Sequence, residues 1–213
     1  MDLSASDLIG ILDRAGIVAF AFSGVEVGAR RRLDVFGLLV MGVITAVGGG
    51  AMRDVVLGRI PLALERPDYL LFAVASAAVA IVFLWRQRRV PRVLVGVADA
   101  AGLGAFAAAG ALAAVRADLP VVAVVLMAML TATGGGVLRD VLAARIPLVL
   151  RSEINATAAG VGGLAVWALE PLSVGGAALA GAAVAAALRL AGIAFDLHLP
   201  HIGRSEGRQR RLL

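Results

Sequence analysis

Two arginine–aspartate pairs lie inside apolar segments of the chain, at Arg53-Asp54 and at Arg139-Asp140. An ionisable residue at the centre of a membrane-spanning helix costs at least about 2.5 kcal/mol, so it usually faces a partner or a water-filled path. The chemistry that these residues offer is therefore electrostatic, either a salt bridge or the charged wall of an ion path. The alternative is that both pairs lie at helix ends, in the lipid headgroup region.

Two further acids, Asp13 and Asp99, precede Arg53 and Arg139 by the same number of residues. On the topology derived below, each acid lies at the membrane depth of its arginine, and opposite charges at one depth attract strongly in a low dielectric. We expect each arginine to be held by this acid or by the aspartate that follows it. The result would be a charged constriction on each side of the membrane.

A run of three glycines ends three residues before each of these arginines. A glycine inside a helix costs about 1 kcal/mol relative to alanine, so three in a row favour a kink or a local unwinding. Freed backbone groups at membrane depth need protein or water as partners, which predicts a bent or broken helix beside a polar cavity. Close helix packing is the alternative. The candidate pore and gating residues here are Gly48, Gly49, Gly50, Gly134, Gly135 and Gly136, with Thr45 and Thr131 one turn before them.

These residues sit in a chain of 213 residues that is 61% hydrophobic and only 16% charged. Soluble domains contain roughly 45–50% apolar residues, so lipid must replace water over most of this surface. A membrane-spanning helix needs about 20 apolar residues. Seven segments qualify, at approximately 7–28, 34–57, 68–85, 93–115, 119–143, 154–170 and 173–195. The predicted class is an all-α membrane protein of seven transmembrane helices, forming one domain over residues 1–213.

The same residue inventory argues against several functions. The chain has no cysteine, its two histidines lie in the tail, and no nucleophile–base pair or phosphate loop stands at membrane depth. We therefore expect no metal, no cofactor and no enzymatic activity. The positive charges, all of them arginine, are spread between apolar spans rather than gathered on a soluble domain. This pattern is not that of a nucleic-acid-binding protein.

An internal repeat relates the two charged segments at an offset of 86 residues. The glycine run with its arginine–aspartate pair returns as GGGxxRDV, and the following Arg59-Ile-Pro-Leu returns as Arg145-Ile-Pro-Leu. Each repeat, about 7–85 and about 93–170, contains three spans. An odd number of spans inverts the second copy, so the halves are predicted to be two three-helix bundles related by a pseudo-two-fold axis in the membrane plane. The seventh helix, about 173–195, lies outside the repeat.

The loops differ in their content of arginine. The first, third and fifth loops and the tail over 198–213 are rich in arginine, whereas the opposite loops are nearly balanced in charge. The positive-inside rule then places the N-terminus outside and the basic C-terminal tail in the cytoplasm. We expect a multi-pass protein of a bacterial cytoplasmic membrane.

The doubled GGGxxRDV…R-I-P motif, with a seventh helix, resembles the prokaryotic trimeric intracellular cation (TRIC) channels, duplicated bacterial proteins once described as glycine transporters. The resemblance covers residues of about 7 to 195. It implies a homotrimer among membrane lipids, with one pore per protomer lined by bent second and fifth helices. It also implies passage of monovalent cations, mainly potassium and with sodium as a second ion.

On sequence alone a cation channel is the leading hypothesis, and a secondary transporter is the alternative. A channel and a secondary transporter of a small solute such as glycine would both use inverted repeats with broken helices.

Overall fold

The computed structural model describes residues 5–86, 92–150 and 154–195. The predicted tail over 198–213 lies outside these residues. Within them the chain forms helices and no strands. The helices are α1 (Ala5–Arg30), α2 (Val35–Val56), α3 (Leu62–Glu65), α4 (Pro67–Arg86), α5 (Arg92–Val115), α6 (Val121–Leu142), α7 (Ile154–Leu169) and α8 (Val174–Ala194), with a 3-10 turn at Leu148–Leu150 before α7.

Six of these helices are long and apolar enough to cross a membrane, namely α1, α2, α4, α5, α6 and α8. The helix α7 is apolar but has 16 described residues, fewer than the roughly 20 that span a bilayer. The all-α class and the membrane character predicted from the sequence are therefore confirmed. The count of seven spans and the inversion of the halves stay predictions.

The repeated sequence produces repeated local structure at the ends of α2 and α6. The backbone N–H groups of Arg59 and Arg145 each donate to the carbonyl of the preceding aspartate, Asp54 or Asp140, at 2.8 Å. In both turns the residue just before that arginine has a left-handed backbone, with φ of 68° at Gly58 and 50° at its equivalent, an alanine. This hydrogen-bonded turn fixes how the chain leaves each helix beside its arginine–aspartate pair.

The core lies where the halves meet, and α5 is its central helix. In the membrane-spanning part of α5, 78% of the residues are buried, against 22% for the peripheral α4. Small side chains dominate α5, and alanines let neighbouring helices approach closely. Phe20 on α1 packs edge-on against its repeat equivalent Phe106 on α5, with ring centroids 5.1 Å apart.

The glycine runs do not unwind their helices. Both α2 and α6 are continuous α-helices through the triplets, so the predicted break in the helix is wrong. The middle glycines serve the close packing of α2 on α6: a Cβ at Gly49 would overlap the carbonyl oxygen of Thr131, and a Cβ at Gly135 would overlap that of Thr45. Backbone contact between the helices explains these two positions. A bend that keeps the helical hydrogen bonds stays a prediction.

Within each triplet the glycines are not equivalent, which gives a matched test. Gly49→Ala should lower stability by about 1–3 kcal/mol, because the new methyl group meets rigid backbone. Gly50→Ala should be neutral or gain up to about 1 kcal/mol of helix propensity, since its Cβ would have only an ordinary contact at 3.7 Å. Thermal unfolding of both variants in mild detergent measures this difference. Equal melting temperatures would contradict the packing role of Gly49.

Candidate functional site

The first charge cluster consists of Asp13, Arg53 and Asp54. The Arg53 guanidinium donates from Nη1 and Nη2 to the two carboxylate oxygens of Asp13, at 2.9 and 3.1 Å. Its Nε donates to Asp54 Oδ1 at 2.9 Å. The backbone N–H of Leu62 donates to the other oxygen of Asp54, also at 2.9 Å. One arginine is thus paired with both predicted acids, and with 2% exposure it is removed from the surface of the protein.

The second charge cluster contains Asp99, Arg139, Asp140 and Arg189. Part of it repeats the first cluster: Arg139 Nε donates to Asp140 Oδ1 at 2.9 Å, and a backbone N–H donates to Asp140 Oδ2 at 2.9 Å. The arginine is again buried, at 8% exposure. This half of the geometry follows from the shared Arg-Asp…Arg-Ile-Pro-Leu sequence.

Of the two acids predicted to hold Arg139, the structure pairs it with Asp140 and not with Asp99. Arg189 on α8 holds Asp99 instead, with its Nε and Nη2 both 3.1 Å from Asp99 Oδ2. Arg139 Nη1 donates to the hydroxyl of Ser23 at 2.6 Å. The physical reason is that α8 stands outside the repeat and brings an extra guanidinium to the second half, which competes for Asp99. The two clusters therefore differ in which residues the arginines bind, although the arginine and the aspartate that follows it repeat.

Sequence reasoning missed Arg189 and Ser23. Arg189 did carry a signal, since it is an ionisable residue within an otherwise apolar span, and such residues usually have a partner. The sequence offers little sign of a role for Ser23, because serine in a membrane helix commonly bonds to its own backbone.

The predicted threonines have a structural role in this arrangement. Thr45 and Thr131 are fully buried, and their hydroxyls donate to the carbonyls of Met41 and Met127 on their own helices, at 2.6 and 2.7 Å. Neither threonine lines the cavities described next. Their carbonyls face Gly135 and Gly49, so they belong to the contact between α2 and α6.

A cavity of about 730 Å³ reaches the second charge cluster from one end of the helix bundle. Its walls come from the last turns of α1, α6 and α8 and from the start of α5. The lining side chains include Ser23, Glu26, Asp99, Arg139 and Arg189. This vestibule is wide and polar, and seven charged side chains line it, since Arg31, Asp140 and Arg145 join the four named.

A smaller cavity of about 260 Å³ reaches the first cluster from the opposite end. It is lined by the start of α1, by the ends of α2 and α5 and by α3. Arg53 and Asp54 stand at its base, with Arg59 and Glu65 nearer the surface. Between the two vestibules lie the contact between α2 and α6 and the ring pair Phe20–Phe106. The arrangement is two charged vestibules separated by a closed centre.

A family model described as "Glycine transporter" matches two blocks of the chain, residues 10–86 and 96–171. The chain belongs to this family. The two blocks coincide with the predicted repeats, so each half alone carries the family pattern. Membership confirms the family that the doubled motif predicted from the sequence.

Other members of the family resemble this one over most of their length. The UPF0126 inner membrane protein YadS of Escherichia coli K12 is 39% identical over 205 residues, covering 93% of this chain and 98% of that protein. A UPF0126 membrane protein of Deinococcus radiodurans is 45% identical over 163 residues, 75% of each chain.

Solved structures agree closely with the fold. A structure described under "Structural basis for conductance through TRIC cation channels" has a TM-score of 0.83 and 34% identity, and covers 91% of this chain and 97% of that one. The TRIC trimeric intracellular cation channel orthologue from Rhodobacter sphaeroides has a TM-score of 0.80 and 36% identity. The match covers 89% of this chain and 98% of that one.

The different pairing of the two clusters predicts different costs for equivalent substitutions. Asp13→Asn should destabilise this family member by about 3–5 kcal/mol, because it leaves a buried arginine short of its bidentate partner. Asp99→Asn should cost clearly less, since Arg189 borders the large vestibule and keeps access to water. Chemical or thermal unfolding of both variants in detergent measures the two losses. A loss for Asp99→Asn that equals or exceeds that for Asp13→Asn would contradict the assigned pairing.

Proposed function

We propose that the protein is a cation channel with one conduction path through each protomer. The observation that carries the proposal is the pair of charged vestibules, which approach each other from opposite ends of one helix bundle. Structures at 34% and 36% identity that are described as TRIC cation channels support it. The path would be lined by α2 and α6, the second and fifth predicted spans, and by the charge clusters at their ends.

The charges in the clusters are arranged so that arginine need not repel a cation. In the first cluster two acids surround one arginine, and in the second two acids meet two arginines. Glu26 adds a further acid at the wall of the large vestibule, where it is paired with Arg30 and where Arg31 and Arg145 also lie. Neutralised guanidinium groups leave carboxylate and hydroxyl oxygens to meet the ion, which is how close-range electrostatics select cations in a pore. We propose monovalent cations as the permeant ions, potassium foremost and sodium second.

Opening this path requires the centre to move. The glycine contacts of α2 with α6 close the space between the vestibules, and both helices must separate or bend there for an ion to pass. The closed centre corresponds to a non-conducting state. Since the contacts are between backbone atoms, a small shift of one helix along the other would open or close them together.

We further propose the arrangement in the membrane. The halves over about 7–85 and 93–170 would be inverted relative to each other, with α7 and α8 completing seven spans. The arginine-rich loops would face the cytoplasm and the N-terminus the outside of a bacterial cytoplasmic membrane. The E. coli relative is described as an inner membrane protein, which supports this location. The assembly would be a homotrimer surrounded by lipid, as the description of the R. sphaeroides structure indicates for that protein.

The transporter alternative is less consistent with the geometry. A carrier that works by alternating access offers its site to one side of the membrane at a time. Here both vestibules are present together, and each reaches a charge cluster. Two approaches to one closed centre are what a shut channel requires.

Single-channel recording tests the proposal directly. Purified full-length protein in planar bilayers should give stepwise currents whose reversal potential follows the potassium gradient. Arg139→Ala should raise the current, because Asp140 then lacks its guanidinium partner and attracts cations. Trp85→Phe, at an exposed site on α4, is the matched control and should conduct like the parent. Saturable counterflow of labelled glycine without current steps would overturn the channel in favour of the transporter.

A further inference from the structure

Two small cavities lie directly beside the charge clusters, and they are copies of each other. One, of about 20 Å³, adjoins Asp13 and Arg53; the other, of about 30 Å³, adjoins Asp99 and Arg139. Every lining position of the first has its repeat equivalent in the second, 86 residues away, and Phe106 in the first is replaced by Phe20 in the second. The repeated sequence therefore forms an equivalent small cavity in each half of the protein.

The copies differ in polarity at two positions. Val47 and Tyr69 line the first small cavity, and their equivalents in the second are Thr133 and Asn155. Tyr69 also directs its hydroxyl elsewhere, donating to the carbonyl of Gly10 at 3.2 Å. The second small cavity thus has an amide and a hydroxyl where the first has a valine and an aromatic ring.

Asn155 places at the second small cavity a buried acceptor without a partner in the described part of the protein. The residue is only 7% exposed, and its Oδ1 is a buried atom with no hydrogen-bond partner among the described residues. Leaving such an acceptor unsatisfied is costly, and a buried one in a native protein calls for a partner. The hydroxyl of Thr133 already donates to the carbonyl of Met129 at 2.7 Å, so its oxygen offers only lone pairs. Both residues line the cavity, and each has an oxygen that can still accept a hydrogen bond.

The acids beside the cavity reinforce this character. Asp99 and Asp140 both line it, against the single guanidinium of Arg139. In the first copy Arg53 occupies both oxygens of Asp13, whereas in the second Arg139 leaves Asp99 to Arg189, which contacts Oδ2. A volume of about 30 Å³ exceeds the roughly 10–15 Å³ that one water-sized occupant needs, and it has no room for a hydration shell.

We propose that the second small cavity binds one dehydrated monovalent cation, coordinated by Asn155 Oδ1, the Thr133 hydroxyl oxygen and a carboxylate oxygen of Asp99. Oxygen ligands suit a hard cation. Among the lining side chains two acids stand against one guanidinium, while Arg189 pairs with Asp99 from outside the lining. The inference rests on the proposed function, because it assigns an ion site to the proposed path. It also assigns α8 a role: Arg189 keeps Asp99 away from Arg139. The first small cavity, with valine and tyrosine, binds no ion.

The test uses rubidium as the probe, on the full-length protein in detergent. Anomalous diffraction from crystals grown with RbCl should show one peak beside Asn155. In solution, RbCl titrated against N-methylglucamine chloride at constant chloride should raise the melting temperature with a saturable midpoint. Asn155→Leu and Thr133→Val each remove one ligand oxygen and should raise that midpoint about tenfold. Val47→Thr, at the equivalent position of the first cavity, is the control and should leave it unchanged.

Several outcomes overturn the inference. They are water density with no anomalous peak, a crystal peak with no saturable midpoint in solution, and an unchanged midpoint in Thr133→Val. Thr133→Val introduces the valine that the first small cavity has at Val47, and valine and threonine are nearly equal in size. This variant can therefore decide the test even if Asn155→Leu does not fold. Potassium currents without a rubidium site would remove the ion site and leave the channel. A rubidium site without potassium currents would support the ion site and remove the proposed channel.

Discussion

The burial of an arginine at the end of each repeated helix is the constraint on which the rest of this structure depends. An unpaired guanidinium in that position is costly, and removing one partner of a buried pair exposes the full penalty. The protein meets this need with the adjacent aspartate, which also receives the backbone N–H of the following turn. That shared core orders the turn and positions the helix end. The remaining hydrogen bonds of the guanidinium are then free to differ between the halves, through Asp13 in one and Ser23 in the other.

Because of this difference, the two ends of the helix bundle are not equivalent, although the sequence is repeated. In the first cluster Arg53 and Asp13 form a bidentate pair, and this cluster borders the smaller vestibule. In the second cluster Asp99 is paired with Arg189 of α8, and this cluster borders the larger vestibule. The centre, by contrast, is nearly symmetrical, because Gly49 and Gly135 each pack on a threonine carbonyl of the other half. Asymmetry thus enters through α8 and through single residues such as Asn155, whereas the repeated sequence keeps the rest of the two halves alike.

Much of this could be predicted from the sequence, and the failures have physical causes. The repeat, the apolar spans and the Arg53–Asp13 pair followed from motif spacing and the cost of buried charge. The partner of Asp99 did not, because Arg189 lies outside the repeat and pairwise reasoning within a repeat has no place for a third helix. The glycine triplets were expected to bend or unwind their helices, since helix propensity disfavours three glycines in a row, and the unwinding does not occur. Tertiary packing outweighed propensity, because the same residues allow the backbones of α2 and α6 to touch. The orphan oxygen of Asn155 could be seen only once its neighbours were in place.

The central claim is that α8 takes Asp99 from its repeat partner, and a double-mutant cycle measures this most directly. Unfolding free energies of Asp99→Asn, Arg189→Gln, Arg139→Gln and the two double variants containing Asp99→Asn give both coupling energies. Residues in one ion pair show interaction energies of about 0.5–3 kcal/mol, and unconnected residues are additive within about 0.5 kcal/mol. The account predicts coupling in that range between Asp99 and Arg189, and additivity between Asp99 and Arg139. Strong coupling of Asp99 to Arg139, with none to Arg189, would contradict it.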